Sequence, residues 1–185
     1  APAELGVDVA RGGQDRTVLI RRHGAWLAPP VVHPGHATPD GPSVVRAIDG
    51  ALDPADPAPI SVDVVGIGAS VVDHLRAADR PVRAVNGAER ADGTDRTGKL
   101  GFANRRALLW WRLREALDRD WGLDLALPPD RALAMDLAAP QWQLTARGVQ
   151  LEPKPRVAER LGRSPDLGDA CALALADRHL GHASV

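Results

Sequence analysis

The chain has 185 residues, 44% of them hydrophobic, a net charge of −1 and one cysteine, Cys171. That length suits one domain with a sizeable core. The composition excludes an internal disulfide and gives no global basic field, although a local basic stripe would be enough to meet nucleic acid. There is no apolar run of membrane-spanning length and no signal-like start, and a reducing compartment fits. The cations are nearly all arginine, with lysine only at Lys99 and Lys154, which reads as a GC-rich genome rather than as function. The chain opens almost directly in a strand, as a piece cut from a longer protein would.

Residues 5–10 (Leu-Gly-Val-Asp-Val-Ala) form an apolar strand interrupted only by Asp8. Such a strand belongs in the middle of a sheet covered on both faces. A Gly12-Gly13 turn leads to a second strand over 17–22, and Gly24 turns the chain into a third over 25–32, completing an antiparallel meander. A loop rich in Pro, Gly and His follows, with His33 and His36 in solvent, then a helix from Pro42 and a proline-rich connector over 53–59. Residues 60–65 repeat the motif of an apolar strand broken by a carboxylate, Asp63. A helix over 69–78 and a short strand over 81–85 complete a parallel crossover. Residues 86–101 are polar and Gly-rich, with no period, and read as a mobile loop. The longest helix signal runs over 102–119, its Trp110 and Trp111 serving as packing. Residues 131–137, 141–145 and 148–152 read as extended pieces. Ser164-Pro165 reads as the N-cap and first position of a last helix reaching about residue 180, with Cys171 in its core face. The pattern is an α/β domain over residues 1–185: a mixed central sheet, an antiparallel meander plus parallel strands, with helices on both faces.

Asp8, Asp63 and Asp169 each interrupt an apolar element. Taken singly, each has a local use, as a strand-end or turn carboxylate. If the two strands are neighbours and the last helix packs its start across their ends, the three converge. Asp166 joins them, being three residues before Asp169 on the same helix face. Clustered buried carboxylates repel unless a cation sits among them. All-oxygen ligation suits Mg²⁺ or Mn²⁺, and a pair of such ions roughly 3.5–4 Å apart is the usual clamp for in-line attack on a phosphodiester. Asp15 is a further candidate ligand, with a turn role an equal alternative. Arg96, Lys99, Arg105 and Arg106 cluster between the polar loop and the long helix, and Arg156, Arg160 and Arg163 form a second basic run; either could meet phosphate.

Four stretches, residues 6–17, 62–68, 151–154 and 161–170, resemble the C-terminal nuclease domain of the large terminase subunit of tailed bacteriophages. They span nearly the whole chain in the family's order. The last, Leu-Gly-Arg-Ser-Pro-Asp-Leu-Gly-Asp-Ala, is the most specific. The resemblance implies a ribonuclease H-like fold. It also implies metal-dependent cleavage of double-stranded DNA during viral genome packaging in the host cytoplasm, with two Mg²⁺ or Mn²⁺ ions. By position, Asp8, Asp63 and Asp169 match the family's acidic triad, and Asp15 and Asp166 match nearby acidic positions of varying role. Lys154, in the third stretch, joins the candidate DNA contacts. The partners implied are double-stranded DNA, an ATPase domain, a portal and a small terminase subunit. No Gly-x-x-x-x-Gly-Lys-Ser/Thr pattern occurs in this chain, so it would be the nuclease half without the motor.

Three rivals share parts of this pattern. Another ribonuclease H-like nuclease, such as a Holliday-junction resolvase, would carry the same acids. An actin-like or sugar-kinase fold also opens on an Asp-bearing strand and a Gly turn, but it needs a second phosphate-binding hairpin. A DNA- or portal-docking module with a decayed site would bind without cutting.

Overall fold

The computed structural model of the protein describes residues 4–10, 15–52 and 58–176. The Gly12-Gly13 turn and most of the proline-rich connector fall outside the described residues, and the last helix, expected to reach about residue 180, closes at Leu173 with Ala174 as its C-cap. The elements are β1 (Glu4–Asp8), β2 (Arg16–His23), β3 (Trp26–Leu27), β4 (Val31–Pro34), α1 (Gly41–Ala51), β5 (Ile60–Asp63), α2 (Gly68–Ala77), β6 (Val82–Val85), α3 (Arg105–Ala116), α4 (Arg131–Ala138), β7 (Trp142–Thr145), β8 (Gly148–Leu151), α5 (Lys154–Leu161) and α6 (Asp166–Leu173).

The main sheet runs β3-β2-β1-β5-β6, with β4 also on β2. β1 and β2 are antiparallel, whereas β5 lies parallel to β1 and β6 parallel to β5. This is the expected meander followed by a parallel crossover. The meander's third strand is split, because Pro29 and Pro30 have no N–H to give to the ladder. Both halves still pair with β2, Leu27 opposite Arg22 and Val31 opposite Leu19.

Strand alternation gives the sheet two working faces. Leu5, Val7, Ile60 and Val62 join Val44, Ile48, Val71 and Leu75 of α1 and α2 in one apolar core. Val18 and Ile20 join α3, α4 and α6 in the other, through Leu109, Leu113, Leu133 and Leu167. Each such side chain, fully buried, contributes about 1.5–3 kcal/mol. On the α6 side, β1 presents Gly6 and little bulk, so helix and strand come close. A Cβ on Gly6 would stand 2.1 Å from the Ala170 carbonyl oxygen and 2.5 Å from the Ala174 nitrogen.

Three expectations need correction. Residues 131–137 are helical, not extended: the Asp130 carboxylate accepts the Leu133 N–H at 3.0 Å, and the Ala, Leu and Met that follow are strong helix formers. Ser164 does not cap α6; Pro165 occupies the N-cap without a side-chain bond. The Leu167 N–H is instead taken at 3.0 Å by Asp136 of α4. The long helix begins at Arg105, where Asn104 caps it by accepting the Ala107 N–H at 2.9 Å. In addition, α5 is short and mostly polar, with only Val157 buried, which left it unread in the sequence.

The polar 86–101 loop is tied through Asp95, which accepts the backbone N–H groups of Lys99 and Leu100, each at 2.9 Å, and the Thr97 hydroxyl at 2.7 Å. Burial works against the charge on Asp95, but these donors outweigh it and hold its carboxyl below the usual range. A depressed carboxyl stabilises the fold above the ordinary value of about 3.9, and that contribution is lost as pH falls through the lower folded-state value. Asp95→Asn is therefore expected to cost about 1 kcal/mol at neutral pH, the difference shrinking in acid; a gap in urea midpoint that does not vary with pH would contradict this. Gly6→Ala is expected to cost about 1–3 kcal/mol or more by forcing α6 off the sheet. An unchanged urea midpoint would contradict that packing.

Candidate active site

Parallel strands end together, and their carboxyl ends are where an open α/β sheet offers a crevice. Val7 of β1 is the register partner of Val62 of β5. The next residues along are Asp8 and Asp63, side by side and facing the same way. α6 crosses above them and brings Asp166 and Asp169 in its first turn. The four carboxylates sought in the sequence thus reach one place, and Asp8, Asp63 and Asp169 line one cavity of about 340 Å³.

A protein cation lies among them. Lys154, the first residue of α5, places its Nζ 3.0 Å from Asp8 Oδ2, 2.9 Å from Asp169 Oδ2 and 3.3 Å from Asp166 Oδ1. Asp8 and Asp166 are only 3% exposed, so water cannot do what the ammonium does. Burial pushes the Asp8 carboxyl well above its ordinary range; the Lys154 ammonium pulls it back, and Asp169, Asp166 and Asp63 push further. Burial alone would lower the Lys154 ammonium, but Asp8, Asp169 and Asp166 more than offset it and raise the group above its usual value.

Asp169 is held differently. The Trp110 indole N–H donates to its Oδ1 at 2.8 Å, and Arg106 Nε donates to the same oxygen at 3.2 Å. Trp110 and Arg106 are one helical turn apart on α3, and the guanidinium carbon lies 5.6 Å from the centre of the indole ring. Burial works against the Asp169 charge, yet Arg106, Lys154 and the Trp110 hydrogen bond prevail and keep its carboxyl below the usual range. Close packing fixes the pair: a Cβ on Gly168 would stand 2.5 Å from the Trp110 ring. Arg106 also donates to the Glu152 carbonyl at 3.2 Å, which ties down the segment presenting Lys154.

The other sequence candidates sort by distance from this point. Asp15 lies across Lys154, lining a second cavity with Arg16, Lys154 and Asp166. Arg106 and Lys154 are at the carboxylates, so their first partners are acids rather than phosphate. Arg105 faces a neighbouring cavity and meets Glu89 at 3.5 Å. Arg96 is paired with Asp118 at 3.0 Å, and its backbone N–H goes to Glu115, near the far end of α3 from Arg106. The tight turn held by Asp95 places Lys99 with it. Arg163 of the second basic run is paired with the fully buried Asp136, and Arg160 with Glu152.

Two contributors went unread in the sequence. Trp110 does more than pack, since its indole N–H binds Asp169; the signal is its position four residues after Arg106. Asp136 had no signal in its expected extended piece, and only the helical reading of 131–138 turns it inward. Asp136 is raised by burial, against the pull of Arg163 and the hydrogen bonds it accepts.

The donor set fits a hard divalent cation: oxygen only, anionic, mostly buried, and already arranged around a positive atom. The oxygens stand at ammonium spacing, 2.9–3.3 Å, whereas Mg²⁺ demands about 2.0–2.1 Å. Accordingly, among the described residues no three His, Cys, Asp or Glu form a ready ion cage. An ion held by Asp8, Asp63 and Asp169 would need their oxygens to close in on it, with the Lys154 ammonium giving way.

Architecture and site together define a ribonuclease H-like α/β domain with an acidic centre at the carboxyl ends of β1 and β5. Solved structures of this fold include nuclease domains of phage large terminase subunits. A mutant nuclease domain of the large terminase subunit gp2 of bacterial virus Sf6, with manganese and beta-thujaplicinol, superposes with a TM-score of 0.71 at 18% identity, over 95% of this chain and 88% of that one. Another Sf6 gp2 nuclease domain gives 0.66 at 20%, over 94% and 89%. The large terminase nuclease from thermophilic phage G20c with bound magnesium gives 0.61 at 16%, over 94% and 80%. No protein-family model and no curated protein matches the sequence. At these identities the likeness speaks for the fold. Among the described residues no helix is long and apolar enough to cross a membrane.

Removing the ammonium should expose the repulsion it offsets. Lys154→Ala is expected to cost on the order of 3 kcal/mol in EDTA. A calorimetric midpoint equal to that of the unsubstituted protein would contradict the central role given to this contact.

Proposed function

We propose that this domain is a metal-dependent endonuclease that cuts double-stranded DNA, with little sequence preference, during packaging of a viral genome. One observation carries the reading: Asp8, Asp166 and Asp169 converge on one cationic position beside Asp63, in the fold of terminase nuclease domains. Among solved neighbours of that fold, Sf6 gp2 is seen with manganese and the G20c nuclease with magnesium, which supports Mg²⁺ or Mn²⁺ here.

Asp8, Asp63 and Asp169 would hold the ions, with Asp166 and Asp15 flanking them. Divalent ions so held supply activation of water for attack on phosphorus and neutralisation of charge on the leaving 3′ oxygen. The chain's own residues prepare that chemistry. Trp110 and Arg106 fix one oxygen of Asp169 and leave the other directed at the cation position. Val85, Leu109, Ala172 and Leu173 give the cavity apolar walls that strengthen every charge interaction inside it. Arg106 and Lys154 are the nearby cations available to an incoming phosphodiester. In the working particle the ATPase domain, portal and small subunit would be further partners, with the domain of residues 1–185 supplying the cutting step in the host cytoplasm.

Asp8→Asn and Asp169→Asn preserve shape and remove a ligand charge. Each is expected to lower Mg²⁺- or Mn²⁺-dependent plasmid cleavage about a thousandfold or more. Cutting at the unsubstituted rate by either variant sinks the assignment, and a marked preference for four-way junctions over linear duplex turns it toward a resolvase.

A further inference from the structure

Beside the carboxylate cavity lies another, of about 360 Å³, with three arginines in its wall: Arg83 of β6 and Arg105 and Arg112 of α3. The two cavities share Val85 and Leu109 as a common wall. Val85 is the register partner of Asp63. Arg83 stands two residues back along β6, roughly 7 Å from that level. That is about two base-pair steps of 3.4 Å along a duplex axis. Arg105 and Arg112 are seven residues apart on α3, two turns along one face, and Arg105 immediately precedes Arg106, which points at Asp169. Helix and strand therefore set a row of guanidinium groups leading away from the acidic centre.

Among the described residues, Asp92, Glu89 and Glu4 are acids that face this row. Asp92 shares the lining. Glu89 meets Arg105 at 3.5 Å with both side chains substantially exposed, a pairing of small worth that a phosphate can displace. Glu4 and the Ser61 hydroxyl hold Arg83 through its Nη1, fixing that guanidinium in place.

We propose that this arginine-lined cavity binds a backbone phosphate of duplex DNA, one to two nucleotides from the phosphodiester held at Asp8, Asp63 and Asp169. It is a positioning site that aligns the strand before cutting. The proposal rests on the nuclease reading for its purpose, but not for its test.

Duplex affinity of the whole domain is measured by fluorescence anisotropy in EDTA over a series of KCl concentrations. Each phosphate contact contributes about one to the slope of log affinity against log salt. Arg105→Gln is expected to reduce the slope by about one and the Arg105→Gln/Arg112→Gln pair by about two, with weaker binding on every sequence. Arg105→Lys should keep most of the slope, since it keeps the charge, and it serves as the control if Arg112→Gln fails to fold. Wild-type affinity and slope in Arg105→Gln overturn the proposal. If these shifts occur while the unsubstituted domain cuts nothing in Mn²⁺, the phosphate site stands and the nuclease reading alone falls.

Discussion

Everything at the centre of this molecule depends on burying several carboxylates beside one ammonium. Separately, Asp8, Asp166 and Asp169 are each too enclosed to stay charged at little cost. Together they share Lys154, whose three contacts lie within 3.3 Å. Asp169 has Arg106 and Trp110 as extra partners and Asp166 has Arg16 at 3.8 Å, whereas Asp8 has Lys154 and three acidic neighbours; burial and those neighbours push the Asp8 carboxyl up while the carboxyl of Asp169 is held down. A fold that leaves such an imbalance has a use for more positive charge than its side chains supply. Divalent ions are the economical source, since each brings two charges in a volume smaller than an ammonium group.

The position of α6 converts this electrostatics into geometry. Its start is fixed by Asp136, which accepts the Leu167 N–H and is itself paired with Arg163. Its end is fixed by Arg22 of β2, whose Nε donates to the Ala174 carbonyl at 2.6 Å. Between these anchors the missing side chain of Gly6 lets the helix rest on β1. Asp169 is thereby aimed at the strand ends from above while Trp110 holds it from the side. Small changes at Gly6, Gly168 or Asp136, none of them at the carboxylates, would displace the same group.

Much of this was legible in the sequence, and the reasons are specific. Asp8 and Asp63 each stand out because a charged residue breaks an apolar strand, and a parallel crossover between such strands brings their ends level. Asp169 announced itself by preceding an unbroken apolar run. Lys154 stands out in the sequence as one of two lysines and as part of the 151–154 stretch, but it reads there as a DNA contact, because chain order does not reveal that its ammonium reaches Asp8 and the acids of α6. Arg96 and Lys99 looked adjacent to Arg106 along the chain, yet the tight turn held by Asp95 carries them to the far end of α3. Residues 131–138 misled because eight residues with two inward positions, Leu133 and Asp136, display too little period to separate helix from strand. The cap of α6 came from α4, a long-range bond that no local signature encodes.

The most direct test of the account is anomalous diffraction from crystals of this domain soaked in Mn²⁺. The account predicts peaks bounded by Asp8, Asp63 and Asp169, with the Lys154 ammonium displaced from among the carboxylates. Full-strength soaks that leave Lys154 in ion-pair contact with Asp8 and Asp169, and no manganese between the three aspartates, would contradict it.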